Sequence, residues 1–172
     1  MTDFFGNNVD KDKLLEILQK GGHVLYFRHA DPAETSGDPG LSIEGKKKAE
    51  SLKLLFQEKK IILNTPIWTS PARRTQETAE IAFEGIERKV NEALYWMDAL
   101  FVDQPVGDNQ KNLKKTLANI FESVPEDGTN SVVVGHHFTF GNAISSLPYL
   151  GMVVLKPAGE GKGFKVVTHF EF

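Results

Sequence analysis

The sequence predicts an α/β fold of three layers, α/β/α, with a mostly parallel central sheet and an antiparallel edge strand. Three observations lead there. Short β-branched or aromatic runs, bounded by Gly, Pro, Asn or polar residues, read as buried strands. Segments with apolar residues at helical spacing lie between them, and such alternation argues for a mostly parallel sheet covered on both faces. The last strand-like stretch follows the turn-rich Pro157 to Lys162 and reads as a hairpin partner of the run before it.

The strands are His23 to Phe27 (HVLYF), Thr65 to Thr69 (TPIWT), Ser131 to Val134 (SVVV) and Met152 to Leu155 (MVVL), with Gly163 to Phe172 as the hairpin partner. Ser42 to Gln57 is a helix with Ser42 as N-cap and Ala49, Leu52, Leu55 and Phe56 on one face. Arg73 to Phe83 and Asn112 to Phe121 repeat the pattern, the latter with Leu113, Leu117, Ile120 and Phe121 aligned. Asp31 to Gly40 and Met97 to Lys111 are irregular and long enough to be functional loops.

A chain of 172 residues, 40% hydrophobic, can bury one sizeable core, so a single domain over residues 1–172 is expected. The net charge of −3 and pI near 6.0 provide no global field for nucleic acid or an anionic membrane, so any anion must be captured locally. The absence of cysteine excludes thiolate catalysis, disulfides and thiolate-bound zinc. Met1 to Lys20 contains acidic residues and no apolar leader core, and the longest apolar runs fall far below the roughly 20 residues that span a bilayer. A cytoplasmic protein is the expectation, with an exported one as the alternative.

The chemistry gathers where strands end. The first runs into Arg28-His29-Ala30 and the third into Gly135-His136-His137, at the sheet edge where open α/β sheets place their ligand crevice. After the second comes Ser70-Pro71-Ala72-Arg73-Arg74, opening a helix whose N-terminus suits anions. Phosphoryl transfer needs a nucleophile and cations that meet the phosphoryl oxygens, and arginine forks suit those oxygens better than lysine point charges.

Four motifs in order, Arg28-His29-Ala30, Leu41-Ser42-x-x-Gly45-x-x-x-Ala49, Ser70-Pro71-x-x-Arg74-x-x-x-Thr78-Ala79 and Val133-Val134-Gly135-His136, resemble the histidine phosphatase (phosphoglycerate mutase-like) superfamily, small phosphatase branch. The resemblance runs from about Gly21 to Phe172. It implies a phosphohistidine on His29, with Arg28, Arg74 and His136 holding the phosphoryl group, and places Arg73 on the surface or behind the site. It implies a phosphohydrolase without cofactor or metal, acting on a phosphorylated small molecule or a phosphoprotein. Flanking arginines would in any case repel a cation bound at His29 and the His136-His137 pair.

Two departures qualify this. Many family members carry a glutamate, the proton donor to the leaving group, two residues beyond a leucine; the counterpart of that leucine, Leu94, is followed by Tyr95 and Trp96. Glu92, Asp98 and Asp103 are the candidates to replace it. Asp31 to Gly40 also lacks the Trp-Asn of sugar-phosphate mutases and an arginine ahead of Leu41, which argues against phosphoglycerate mutase. The aromatics Tyr95, Trp96, Phe101 and Phe138 stand near the expected mouth, as a stacking surface or as core. The alternative of another class is a catalytically degraded module that binds a phosphorylated ligand without turnover.

Overall fold

The computed structural model describes residues 10–172. Its elements are α1 (Lys11–Lys20), β1 (Val24–Arg28), α2 (Ile43–Glu58), β2 (Ile67–Thr69), α3 (Arg73–Ala82), β3 (Arg88–Val90), α4 (Met97–Phe101), α5 (Gln110–Glu122), β4 (Ser131–Gly135), β5 (Met152–Pro157) and β6 (Phe164–Phe170), with a 3₁₀ turn at Glu92–Leu94. One sheet holds the strands in the order β3-β2-β4-β1-β5-β6. The first four pair in parallel, while β5 runs against β1 and the hairpin strand β6 runs against β5.

Alternate residues of a strand point to opposite faces, and here both faces are covered. Leu25 and Phe27 of β1, Val132 and Val134 of β4 and Met152 and Val154 of β5 pack with Leu14 and Leu18 of α1, Ala49 and Leu52 of α2 and Ala79 of α3. Val24, Tyr26, Val133, Val153 and Leu155 pack on the other side with Leu100 of α4 and Leu117, Ile120 and Phe121 of α5. This makes the three layers.

The structure adds elements that the sequence pattern did not mark. Residues 1–9 of the stretch read for a leader lie outside the described residues, and Lys11–Lys20 is α1, capped by the Asp10 side chain. The edge strand β3 is fully exposed and rests on backbone pairing with β2, so no apolar pattern announces it. Met97 to Lys111 is not irregular throughout: α4 occupies its start and α5 its end, with Met97 and Leu100 buried. Five residues are too few to display a helical period. No helix among the described residues is long and apolar enough to cross a membrane.

Asn130 ties the layers together ahead of β4. Its fully buried Nδ2 donates to the Leu18 carbonyl at the end of α1 (2.7 Å), and its Oδ1 accepts from the His23 N–H at the entry to β1 (3.3 Å). Burying an unpaired polar group costs about 1–3 kcal/mol. Asn130→Ala should therefore lower stability by roughly 2–3 kcal/mol, read as a shifted urea midpoint with unchanged slope. The N-cap variant Ser42→Ala should lose about 1 kcal/mol; an Asn130→Ala loss no larger than that would contradict the role given to this side chain.

Candidate active site

Register brings the two histidines together. Arg28 pairs with Gly135 across β1 and β4, so the next residue of each strand leaves the sheet at the same edge. The His29 N–H donates to the Gly135 carbonyl (2.9 Å), and the two imidazoles stand 5.7 Å apart between centroids. The main chain of His136 is gripped by Tyr26, whose hydroxyl donates to the His136 carbonyl (2.8 Å) and accepts from its N–H (3.0 Å). A Cβ at position 135 would run into that hydroxyl, which is why glycine stands there.

Hydrogen bonds decide both tautomers. His29 Nδ1 lies 2.8 Å from the Ala30 carbonyl, which can only accept, so Nδ1 carries the proton. Arg74 Nε donates to His29 Nε2 (3.2 Å), so Nε2 presents its lone pair. Arg74 Nη2 likewise donates to His136 Nδ1 (3.3 Å), leaving His136 Nε2 to donate to Ser70 Oγ (2.8 Å). Ser70 Oγ in turn donates to Thr75 Oγ1 (2.9 Å), because the Thr75 hydroxyl spends its own proton on the Ala72 carbonyl (2.7 Å). Ser70 and Thr75 are fully buried.

Adjacent residues separate cleanly. Arg74, half-buried, reaches both histidines, while Arg73 is exposed. His136 points in; His137 is exposed and its Nε2 lies 3.4 Å from Ser146 Oγ. The Arg28 guanidinium donates from Nη1 to the Leu147 carbonyl (2.9 Å) and sits 4.0 Å from the centre of the Tyr149 ring. Asp38, in the loop after His29, accepts from the Arg73 N–H (3.1 Å) and lies 3.8 Å from Arg74 Nη1.

The remaining motif residues hold this loop in place. The Ala30 N–H donates to Thr78 Oγ1 (3.0 Å), which itself donates to the Arg74 carbonyl (2.7 Å), linking the residue after His29 to the helix of Arg74. Ser42 Oγ donates to the Asp31 carbonyl (3.1 Å) and accepts from the Gly45 N–H (3.0 Å). A Cβ at Gly45 would collide with the Asp31 carbonyl.

The three candidate proton donors meet different surroundings. The Asp103 carboxylate pairs with Lys114 of α5. Glu92 is exposed and accepts from the Trp96 indole N–H (3.2 Å). Asp98, also exposed, is close enough for its charge to act on Tyr26. Trp96, at the position expected for the acid, stacks edge-on against Tyr95, and Tyr95 stands edge-on to His136 at 5.8 Å. Phe138 belongs to the core, with Phe101 packed on it from outside at 4.8 Å. Sequence reasoning gave no role to Ser70, Thr75 or Thr78, nor any signal for Tyr26 or for the turn carrying Leu147 and Tyr149.

Charge is one-sided here. Burial lowers the pKa of His29 to about 4; the Ala30 carbonyl opposes this and the charges of Arg74 and Arg28 reinforce it. Burial also lowers His136 to about 4, again with help from Arg74 and also from His29 and Arg28. At neutral pH the site holds two neutral imidazoles and two guanidiniums, an arrangement that suits a tetrahedral dianion.

Known proteins share sequence features and fold with this chain. Residues 24–99 match the family model of the histidine phosphatase superfamily (branch 1), which bears out the resemblance carried by the motifs. The fold matches the protein histidine phosphatase SixA complexed with tungstate (TM-score 0.59, 15% identity, 87% of this chain and 96% of that one). It also matches SixA from Agrobacterium tumefaciens (0.56, 17%, 88% and 99%) and a mycobacterial glucosyl-3-phosphoglycerate phosphatase in complex with VO3 (0.57, 16%, 85% and 97%). A search of curated proteins finds no match.

The depressed histidines predict a stability profile. Unfolded histidines bind protons near pH 6.5, whereas His29 and His136 do so near 4, so stability is full above about 6.5 and falls as pH drops toward 4. His23, lowered chiefly by burial, adds to the same trend. Thermal melts between pH 7 and 4 should show this slope, and the double variant His29→Asn/His136→Asn should lose most of it; an unchanged slope would contradict the buried, neutral state of the pair.

Proposed function

We propose that this histidine-phosphatase-like chain is a phosphohydrolase working through a phosphohistidine on His29. One observation carries the reading: a neutral imidazole, anchored through Nδ1–H, offers an unprotonated Nε2 beside Arg74. In the first displacement the Nε2 lone pair forms the N–P bond as the bond from phosphorus to the leaving group breaks. In the second, a water oxygen attacks phosphorus, the P–N bond breaks, phosphate leaves and His29 is neutral again, the water proton passing to solvent. Arg28 and Arg74, donors fixed before substrate arrives, stabilise the charge that develops on the phosphoryl oxygens, and His136, whose Nδ1 accepts from Arg74 and whose Nε2–H goes to Ser70, stands beside them as the second imidazole of the pocket.

Leaving-group chemistry narrows the substrate. With Trp96 at the expected acid position, Glu92 engaged by its indole and Asp103 by Lys114, we take the departing atom to receive no proton from a carboxylate. A missing acid costs about 10²–10⁴-fold on poor leaving groups and far less on aryl phosphates or on a phosphoramidate nitrogen already protonated. Phosphohistidine proteins are therefore better candidates than sugar phosphates.

Hydrolysis of para-nitrophenyl phosphate tests the reaction. His29→Ala should abolish it, and Arg74→Ala should lower kcat/KM by on the order of 10²–10³-fold while exposed Arg73→Ala stays near wild type. Turnover by His29→Ala at the wild-type rate would remove the nucleophile.

A series of phosphate monoesters tests the substrate. A steep dependence of kcat/KM on leaving-group pKa, unchanged in Glu92→Gln, Asp98→Asn and Asp103→Asn, is expected. A shallow dependence that one of these variants makes steep would identify that carboxylate as the acid.

A further inference from the structure

We propose that Tyr149 is a positioning residue of this site, its ring holding the Arg28 guanidinium face-on and shielding the His29 imidazole. The inference rests on the reading of His29 as the nucleophile. Tyr149 belongs to a turn, residues 147–151, that no motif marks. Main-chain bonds fasten this turn to the end of β1: the Leu150 N–H donates to the His29 carbonyl (3.2 Å) and the Arg28 N–H to the Gly151 carbonyl (3.1 Å). Leu147 and Leu150 are buried and Leu150 adopts a left-handed φ of 58°, so the turn is set by its backbone and its leucines.

The Tyr149 side chain points its packing elsewhere. Although 39% exposed, it places its ring centre 4.0 Å from the Arg28 guanidinium carbon and 5.5 Å from the His29 ring. Its hydroxyl makes no hydrogen bond among the described residues, so the ring face is the part in use. Arg28 is then held twice, by the aromatic face and by the Leu147 carbonyl, while its buried Nε has no partner. Tyr149 also borders a groove of about 450 Å³ lined by Lys47, Lys48, Leu52 and Phe172, so removing the ring would open the clamp toward that groove.

Two consequences follow for Tyr149→Ala: a loosened Arg28 binds phosphate less well, and a better hydrated His29 recovers part of its ordinary basicity. Inorganic phosphate affinity, by calorimetry, should weaken about three- to fivefold, in line with a partly exposed cation–π contact. The acidic limb of kcat/KM on para-nitrophenyl phosphate should move up from about 4 toward 6.5. Tyr149→Phe, which keeps the ring, should rescue both. Thermal melts of the variants check the fold.

A Tyr149→Ala protein with wild-type phosphate affinity and an unmoved acidic limb would overturn the proposal, whatever its melting temperature. A Tyr149→Phe protein as impaired as Tyr149→Ala would overturn it too, by assigning the effect to the hydroxyl. If the wild type hydrolysed no ester, the nucleophile reading would fall. Phosphate affinity in the same three proteins would still decide whether Tyr149 holds Arg28.

Discussion

The site depends on the fixing of one imidazole between an acceptor and a donor. The Ala30 carbonyl accepts from the Nδ1–H of His29 and Arg74 Nε donates to its Nε2, so the ring has one tautomer, one orientation and an unprotonated nitrogen toward the clamp. Every surrounding contact maintains that geometry. Thr78 holds the Ala30 N–H and the Arg74 carbonyl at once, so the acceptor and donor flanking His29 share a common anchor. Register across β1 and β4 does the same for the second histidine, since Gly135 accepts from His29 and makes room for the Tyr26 hydroxyl that grips His136.

Electrostatics gives this arrangement its direction. Two guanidiniums close to two imidazoles would be unfavourable if the rings also carried charge, and burial keeps them neutral. Among the carboxylates of the described residues, Asp38 comes within 3.8 Å of Arg74 and is itself exposed, so solvent weakens its compensation. The excess positive charge is thus available to an anion. The buried line from His136 through Ser70 to Thr75 carries no charge; it orients the second imidazole without neutralising the clamp.

Much of this was legible in the sequence because the signals are local. Strands β1, β4 and β5 are apolar on both faces and read as continuous runs, and Arg28, His29 and His136 follow such runs directly. Arg74 was separable from Arg73 through the motif, and helical geometry turns the two side chains apart. Other parts had no local signal. β3 is exposed, α4 is short, and Tyr26 reads as one more core aromatic until its hydroxyl meets His136, 110 residues away. Asp103 looked available because its partner, Lys114, lies on another element. The turn of Leu147 and Tyr149 contains no charged residue, and its relation to Arg28 exists only once β5 lies against β1.

His29 is held as the Nδ1–H tautomer, its unprotonated Nε2 accepting from Arg74 Nε until phosphorus takes that lone pair. Rapid quenching during turnover of a labelled phosphate ester, under alkaline conditions that preserve phosphohistidine, followed by mapping of the modified nitrogen, tests this directly. Phosphate is expected on Nε2 of His29. Phosphate on Nδ1 of His29, or on His136, would contradict it.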